Sequence, residues 1–257
     1  EYHNKIDSNN LKKAWESALN RYSSLRLRFA WEEEVVQIID KERELDWQYI
    51  DLSKKEPKEQ LLEIQKIQES DRERGYDLQA GQLFRIIIIK RNSNLYTCIF
   101  SNHHAILDGW SNPILLGYVH ESYLKLCEGE KIDTVIDYSY IASQKYLQDH
   151  AQDNKGYWEA KVSKIEERLD LSGLIRNEYD LRFKEYRYVK EPKEQILEIK
   201  DKEYDEIKKL SKREGITLNA ILQYVWHKVL SIYGNAKQTI VGTTVSGRSL
   251  AIDNIES

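Results

Sequence analysis

Helices alternating with strands in a mixed α/β arrangement of two lobes is the fold class predicted by this sequence of 257 residues. Three observations predict it. Leu11, Ala14, Trp15, Ala18, Leu19 and Tyr22 recur at helical spacing. Ile86 to Ile89 is an unbroken apolar run, as expected of a strand buried on both faces. Between and after them, runs with a helical period and runs with a strand period take turns.

In order along the chain, the first helix is expected over about 9–22, capped by Asp7 or Ser8. Leu25 to Phe29 alternates apolar residues with arginine, a strand signal that puts Arg26 and Arg28 on one face. A second strand is expected around Val35 to Ile39. Ser53 and Glu56 have capping-box spacing, with Pro57 just inside, and open a helix that runs to about Arg74 and ends at Gly75. Leu83–Lys90 and Leu95–Asn102 then read as a hairpin around Asn92-Ser93-Asn94. Ser111 and Pro113 start a helix that Gly129 stops. One long helix is expected over 139–162, and an inter-lobe passage over 170–177, where no period continues. The second lobe should open with a strand over 187–200. Helices over 202–213 and 218–233 follow, joined by Gly215-Ile216-Thr217, and then a strand over 239–245. The two lobes are thus expected at 1–170 and 171–257.

Composition narrows the function. Charged residues make up 32% and apolar ones 40%, ordinary for a globular protein. The net charge of −4 with scattered basic residues carries no footprint for nucleic acid. No apolar run approaches the roughly 20 residues of a membrane span, and no signal-peptide pattern opens the chain. Cys98 and Cys127 form neither a disulfide framework nor a metal spacing, and His3, His120, His150 and His227 have no ligand spacing either. No metal and no membrane partner is expected, and the compartment reads as cytoplasmic. The chain starts at Glu1 rather than a methionine, which reads as a processed, excised or trimmed piece.

The chemistry concentrates in Ser101 to Trp110, Ser-Asn-His-His-Ala-Ile-Leu-Asp-Gly-Trp, between a strand and a capped helix. A single histidine near a strand end is usually a hydrogen-bonded structural residue, and Asp-Gly alone is a turn. His103, His104, Asp108, Gly109 and Trp110 together are far more specific. If the strand continues to His104, a period of two puts Ser101 and His103 on one face and Asn102 and His104 on the other. One histidine then faces a cleft and the other the scaffold.

This stretch resembles the His-His-x-x-x-Asp-Gly motif of condensation domains of nonribosomal peptide synthetases, in the chloramphenicol acetyltransferase-like superfamily. His103, His104, Asp108, Gly109, Trp110 and Ser111 carry the match. Arg21, Leu25, Arg26 and Phe29 echo an earlier family motif, and Gly75-Tyr76-Asp77-Leu78 with Gly81 and Leu83-Phe84-Arg85 echo a second. Asp137-Tyr138 matches part of a third. Val245-Ser246-Gly247-Arg248 resembles the lead into a fifth, whose Gly-x-Phe-x-Asn-Thr lies beyond the chain. The resemblance implies a two-lobed chloramphenicol acetyltransferase-like α/β fold, mixed sheets flanked by helices, with the second lobe incomplete.

It also implies amide formation between two carrier-bound substrates. No cofactor is held by the domain itself; substrates arrive on 4′-phosphopantetheine arms. The implied partners are an upstream donor carrier domain, a downstream acceptor carrier domain and an adjacent adenylation domain. His104 is the expected catalytic group, with His103, Asp108 and Gly109 completing the motif and Trp110 against substrate. By the same resemblance Arg26 pairs with Asp108 and braces the site. Epimerization domains share the motif core but tend toward Gly-Val-Ser-Trp-Arg after it. A standalone acyltransferase and a non-catalytic docking platform for carriers are the other readings.

Overall fold

A computed structural model describes residues 1–132, 135–165, 169, 171, 194–253 and 255. By internal packing they form two compact units, Glu1–His150 with Ser246–Ser257, and Ala151–Val245. The inter-lobe passage expected at 170–177 lies, except for Leu171, outside the described residues.

The first unit is built on α1, Ser8–Arg21, whose N-terminus is capped by the Asp7 carboxylate accepting from the amides of Asn9 and Asn10. Leu11, Ala14, Trp15, Ala18 and Leu19 form its buried stripe. A 3₁₀ turn, Ser23–Arg26, follows and delays strand β1 to Leu27–Ala30. The strand expected from Leu25 therefore starts two residues late. The cause is Arg26, which turns back and donates to the carbonyls of Leu19 and Asn20 at the C-terminus of α1. A cation there satisfies orphan carbonyls and meets the negative end of the helix dipole. β1 pairs antiparallel with β2, Val36–Ile39.

The main sheet has the order β3-β4-β5, with β3 Trp47–Asp51, β4 Phe84–Lys90 and β5 Tyr96–Asn102. β3 runs parallel to β4 and is joined to it through α2, Pro57–Arg74; β5 is antiparallel to β4. As expected, β4 is buried on both faces. Phe84, Ile86 and Ile88 join the core with α1 and with Leu115 and Val119 of α3, Ser111–Cys127. Ile87 and Ile89 pack on the opposite face with Leu52 and with Ile64 of α2. The cap of α2 differs from expectation: the Glu59 carboxylate accepts from the Glu56 amide, while Ser53 folds back on Asp51.

The Tyr76 segment that follows α2 is pinned by Arg85. The Arg85 side chain is 2% exposed and pairs with Asp71, donates to the Gly75 carbonyl and lies 4.0 Å from the Tyr76 ring centroid. Gly75, at φ 58°, makes the left-handed turn that brings this carbonyl round.

The long helix expected over 139–162 is two, α4 Ser139–Asp149 and α5 Lys155–Val162. The break falls on His150–Asn154, where His150 closes on the Tyr146 carbonyl through both its amide and its ring. In the second unit α5 is followed by α6, Asp201–Glu214, and α7, Leu218–Tyr233. Gly215 ends α6 in the left-handed region and the Thr217 hydroxyl caps α7, as expected. Residues 194–200 and 239–245 are not strands, since no described backbone pairs with them, and 187–193 lie outside the described residues. An extended segment becomes a strand only when a neighbour completes its ladder.

Candidate active site

β5 ends at Asn102, so both histidines lie on the loop beyond it. The loop is fastened at its start by the His103 amide donating to the Leu83 carbonyl. The two rings are then used in opposite ways. His103 Nδ1 accepts from the Ala105 amide at 3.1 Å, so its proton resides on Nε2. His104 Nδ1 lies 2.5 Å from the Leu107 carbonyl oxygen, which can only accept, so there the proton is on Nδ1. His103 has spent its basic nitrogen on the loop. His104 keeps Nε2 as an open proton acceptor. The two rings thus differ in which nitrogen is left open, and adjacent hydrogen bonds set that difference rather than the strand period.

The expected sharing of a face by Ser101 and His103 is visible through Tyr76. Its hydroxyl lies 2.8 Å from Ser101 Oγ and its ring meets His103 edge-on, with centroids 6.2 Å apart. Tyr76, held in turn by Arg85, is a support that spacing alone gave no reason to assign.

Asp108 starts α3. Its carboxylate accepts from the Ser111 amide at 2.7 Å and the Ser111 hydroxyl at 2.5 Å. A negative charge at a helix N-terminus is favourable. Arg248 clamps the same carboxylate at 3.3 and 3.4 Å and also donates to Ser111 Oγ at 3.1 Å. Burial works against the charge on Asp108, but Ser111 and Arg248 outweigh it and hold the carboxyl below its usual range. The expected partner Arg26 is not there: its guanidinium is committed to α1 and to the Asp40 carbonyl. Arg248, 140 residues from Asp108, takes that place. The motif segment around Ser246-Gly247-Arg248 was the one sequence signal that could have found it.

His104 and Asp108 line a cavity of about 420 Å³. Its lining includes the apolar Leu25, Leu107, Ile114 and Leu115 and the polar Ser23, Asp137, Ser139, Tyr140 and Ser143. Gly109 and Trp110 do not line it. Trp110 is 69% exposed at the start of α3, outside this lining. Gly109 has no left-handed backbone, and nothing lies within 4 Å of where a Cβ would be, so neither turn nor close approach requires glycine there. Among the described residues no cluster of three or more His, Cys, Asp or Glu could hold a metal, and no helix is long and apolar enough to cross a membrane.

The condensation-domain family model matches residues 1–257. The chain belongs to the condensation-domain family. This condensation domain is 40% identical over 260 residues to N-(5-amino-5-carboxypentanoyl)-L-cysteinyl-D-valine synthase of Amycolatopsis lactamdurans, covering 100% of the chain and 7% of that protein. It is 38% identical to the enzyme of the same name from Penicillium rubens, again covering 7% of that protein. The chain therefore spans only a small part of the relatives it matches. The starter condensation domain of the rhizomide synthetase RzmA superposes with a TM-score of 0.55 at 19% identity, over 65% of this chain and 43% of that one. The fold class is the expected α/β fold of condensation domains, chloramphenicol acetyltransferase-like.

The Asp108 clamp makes a testable demand on this condensation domain. Asp108→Ala should lower the melting temperature, because Ser111 and Arg248 lose their common partner. Since its folded pKa is depressed, the carboxylate contributes stability that is present above its unfolded value of about 3.9 and is lost as pH falls through the lower folded one. The gap in melting temperature between wild type and variant should therefore close in acid. A variant that melts normally yet is inactive would move Asp108 from the scaffold into the chemistry.

Proposed function

We propose that this domain joins a carrier-bound aminoacyl or peptidyl thioester to the α-amine of a carrier-bound aminoacyl acceptor. The observation that carries this reading is the open Nε2 of His104, fixed as a proton acceptor by the bond from Nδ1 to the Leu107 carbonyl. The acceptor nitrogen attacks the thioester carbonyl, a C–N bond forms, the C–S bond breaks, and the nitrogen's proton passes through His104 to the departing thiolate. The demands are modest, because a thioester is already activated and an α-amine with a pKa of about 7.7–8.0 is substantially neutral at physiological pH. Aligning the two groups supplies about 7–11 kcal/mol of barrier lowering. Excluding water protects the donor from hydrolysis. His103, through Ala105, and Asp108, through Ser111 and Arg248, hold the loop. Arg26 supports the site at one remove by holding the end of α1, beside Tyr22 and Ser23 of the cavity wall.

The domain binds no cofactor of its own on this reading. Both substrates arrive on 4′-phosphopantetheine arms, from an upstream donor and a downstream acceptor carrier domain, with an adenylation domain adjacent and the reaction in the cytoplasm. Residues 1–170 belong to the N-terminal lobe and 171–257 to the start of the C-terminal lobe. The full-length protein, with both carriers loaded, should transfer the donor to the acceptor carrier, read as the mass of the acceptor arm. Loaded carriers that yield no amide on the acceptor arm would overturn the reading.

A further inference from the structure

The cavity lining includes a buried carboxylate, Asp137, that the mechanism above leaves unused; Ser23 lies near it in the chain pairing. Asp137 is 8% exposed, and Ser23 is 2% exposed. Tyr22 and Asp137 form a parallel bridge, with the Asp137 amide donating to the Arg21 carbonyl at 2.9 Å, so Ser23 follows directly on the residue that pairs with Asp137. One carboxylate oxygen of Asp137 accepts from the Ser139 amide at 2.8 Å; the other has no hydrogen-bonding partner and no cation within ion-pair reach among the described residues. The Ser23 hydroxyl is buried and also has no partner. The Ser23 hydroxyl has no surface open to the cavity, whereas Asp137 lines it, and its carboxylate can receive a charged donor from a ligand.

The charge of the cavity says which ligand. Among the described residues of the lining, Asp108 and Arg248 pair with one another, which leaves the carboxylate of Asp137 without a cation. Arg21 does not offset it: it donates to the Val135 carbonyl and lies over the rings of Tyr22 and Tyr118, outside the lining. Tyr22, Tyr140 and His104 are the other titratable groups of the cavity. A carboxylate oxygen without a cation partner accepts from a group with N–H donors and a positive charge.

We propose that Asp137 forms a subsite for a primary ammonium group of a substrate, in the same cavity as His104. The acceptor's α-ammonium, held there before it gives up its proton, and an amine-bearing substrate side chain share this chemistry. Only the naming of the acceptor rests on the condensation reading; the subsite is tested by binding alone, so the two can fail separately.

The experiment titrates the full-length protein with N-acetylcysteamine thioesters at about pH 6.5, below the α-amine range of about 7.7–8.0. Glycyl and propionyl thioesters have nearly the same shape but differ in charge; a 5-aminopentanoyl thioester, compared with hexanoyl, carries its ammonium at side-chain distance. The wild type should bind the ammonium member of one pair about tenfold or more tighter than its neutral partner, as for a charged hydrogen bond. Asp137→Asn should abolish that preference while its amide oxygen keeps the bond to Ser139. A preference within the glycyl pair assigns the α-ammonium, and one within the 5-aminopentanoyl pair assigns a side chain. Should Asp137→Asn fail to fold, Asp137→Ser keeps a capping oxygen without the charge. Equal or undetectable binding of both members of each pair to wild type, or a preference that survives loss of the charge, overturns the proposal.

Discussion

His104→Ala is expected to lower the rate of amide formation by about 10²–10⁴-fold, the range contributed by a positioned proton-transfer group. The variant should leave the melting temperature nearly unchanged. His104 is exposed and its ring makes one hydrogen bond, to the Leu107 carbonyl, so little packing is lost with it. The loss should fall on kcat with both carriers loaded. His103→Ala is the informative contrast. It removes the acceptor for the Ala105 amide and the edge contact with Tyr76, so it should disturb the loop and cost stability as well as rate. If His104→Ala turns over like wild type, the open Nε2 has no part in the chemistry.

The largest expected effect on stability belongs to Arg85, far from any proton transfer. Arg85→Ala should destabilise the protein by about 3–5 kcal/mol, because removing one member of a buried pair strands the other. The Asp71 side chain is only 9% exposed, and the Gly75 carbonyl would lose its donor too. Arg85→Met fills the space but still strands Asp71, so it should recover only part of the loss. Adding Asp71→Leu removes the stranded charge and should recover most of the remainder. Urea denaturation of the three variants reads this directly. A midpoint for Arg85→Ala within error of wild type would show that water reaches Asp71. Because Arg85 also carries the Tyr76 ring, Arg85→Ala should loosen His103 before the global transition.

What the amino-acid pattern revealed, and what it hid, follows from the range of the forces involved. α1, β4 and β5 announce themselves because burial on one or both faces writes a period into neighbouring residues. The motif from His103 to Asp108 was equally plain. β3 was missed because Trp47-Gln48-Tyr49-Ile50-Asp51 has only intermediate and exposed positions, and β4 beside it makes it a strand. The 3₁₀ turn at Ser23–Arg26 was hidden because Arg26 looks like one tooth of a strand alternation until the end of α1 claims its guanidinium. For the same reason the expected partner of Asp108 was wrong, while Arg248, the real one, belonged to a segment whose role no local rule could assign. The place of Asp137 in the cavity lining has no sequence signature either, since it follows from the bridge between Tyr22 and Asp137.

The clamp on Asp108 has a consequence for how the protein is made. At a synthesis rate of about 5–20 residues per second, the ribosome needs on the order of ten seconds to travel from Asp108 to Arg248. During that interval α1, α3 and the β3-β4-β5 sheet can already pack, since all their residues have been made by Cys127. The nascent chain thus carries a folded layer whose motif loop waits, half fastened, for a cation still to be translated. A ribosome stalled before Ser246 would display the two histidines on that loop without the arginine that closes it.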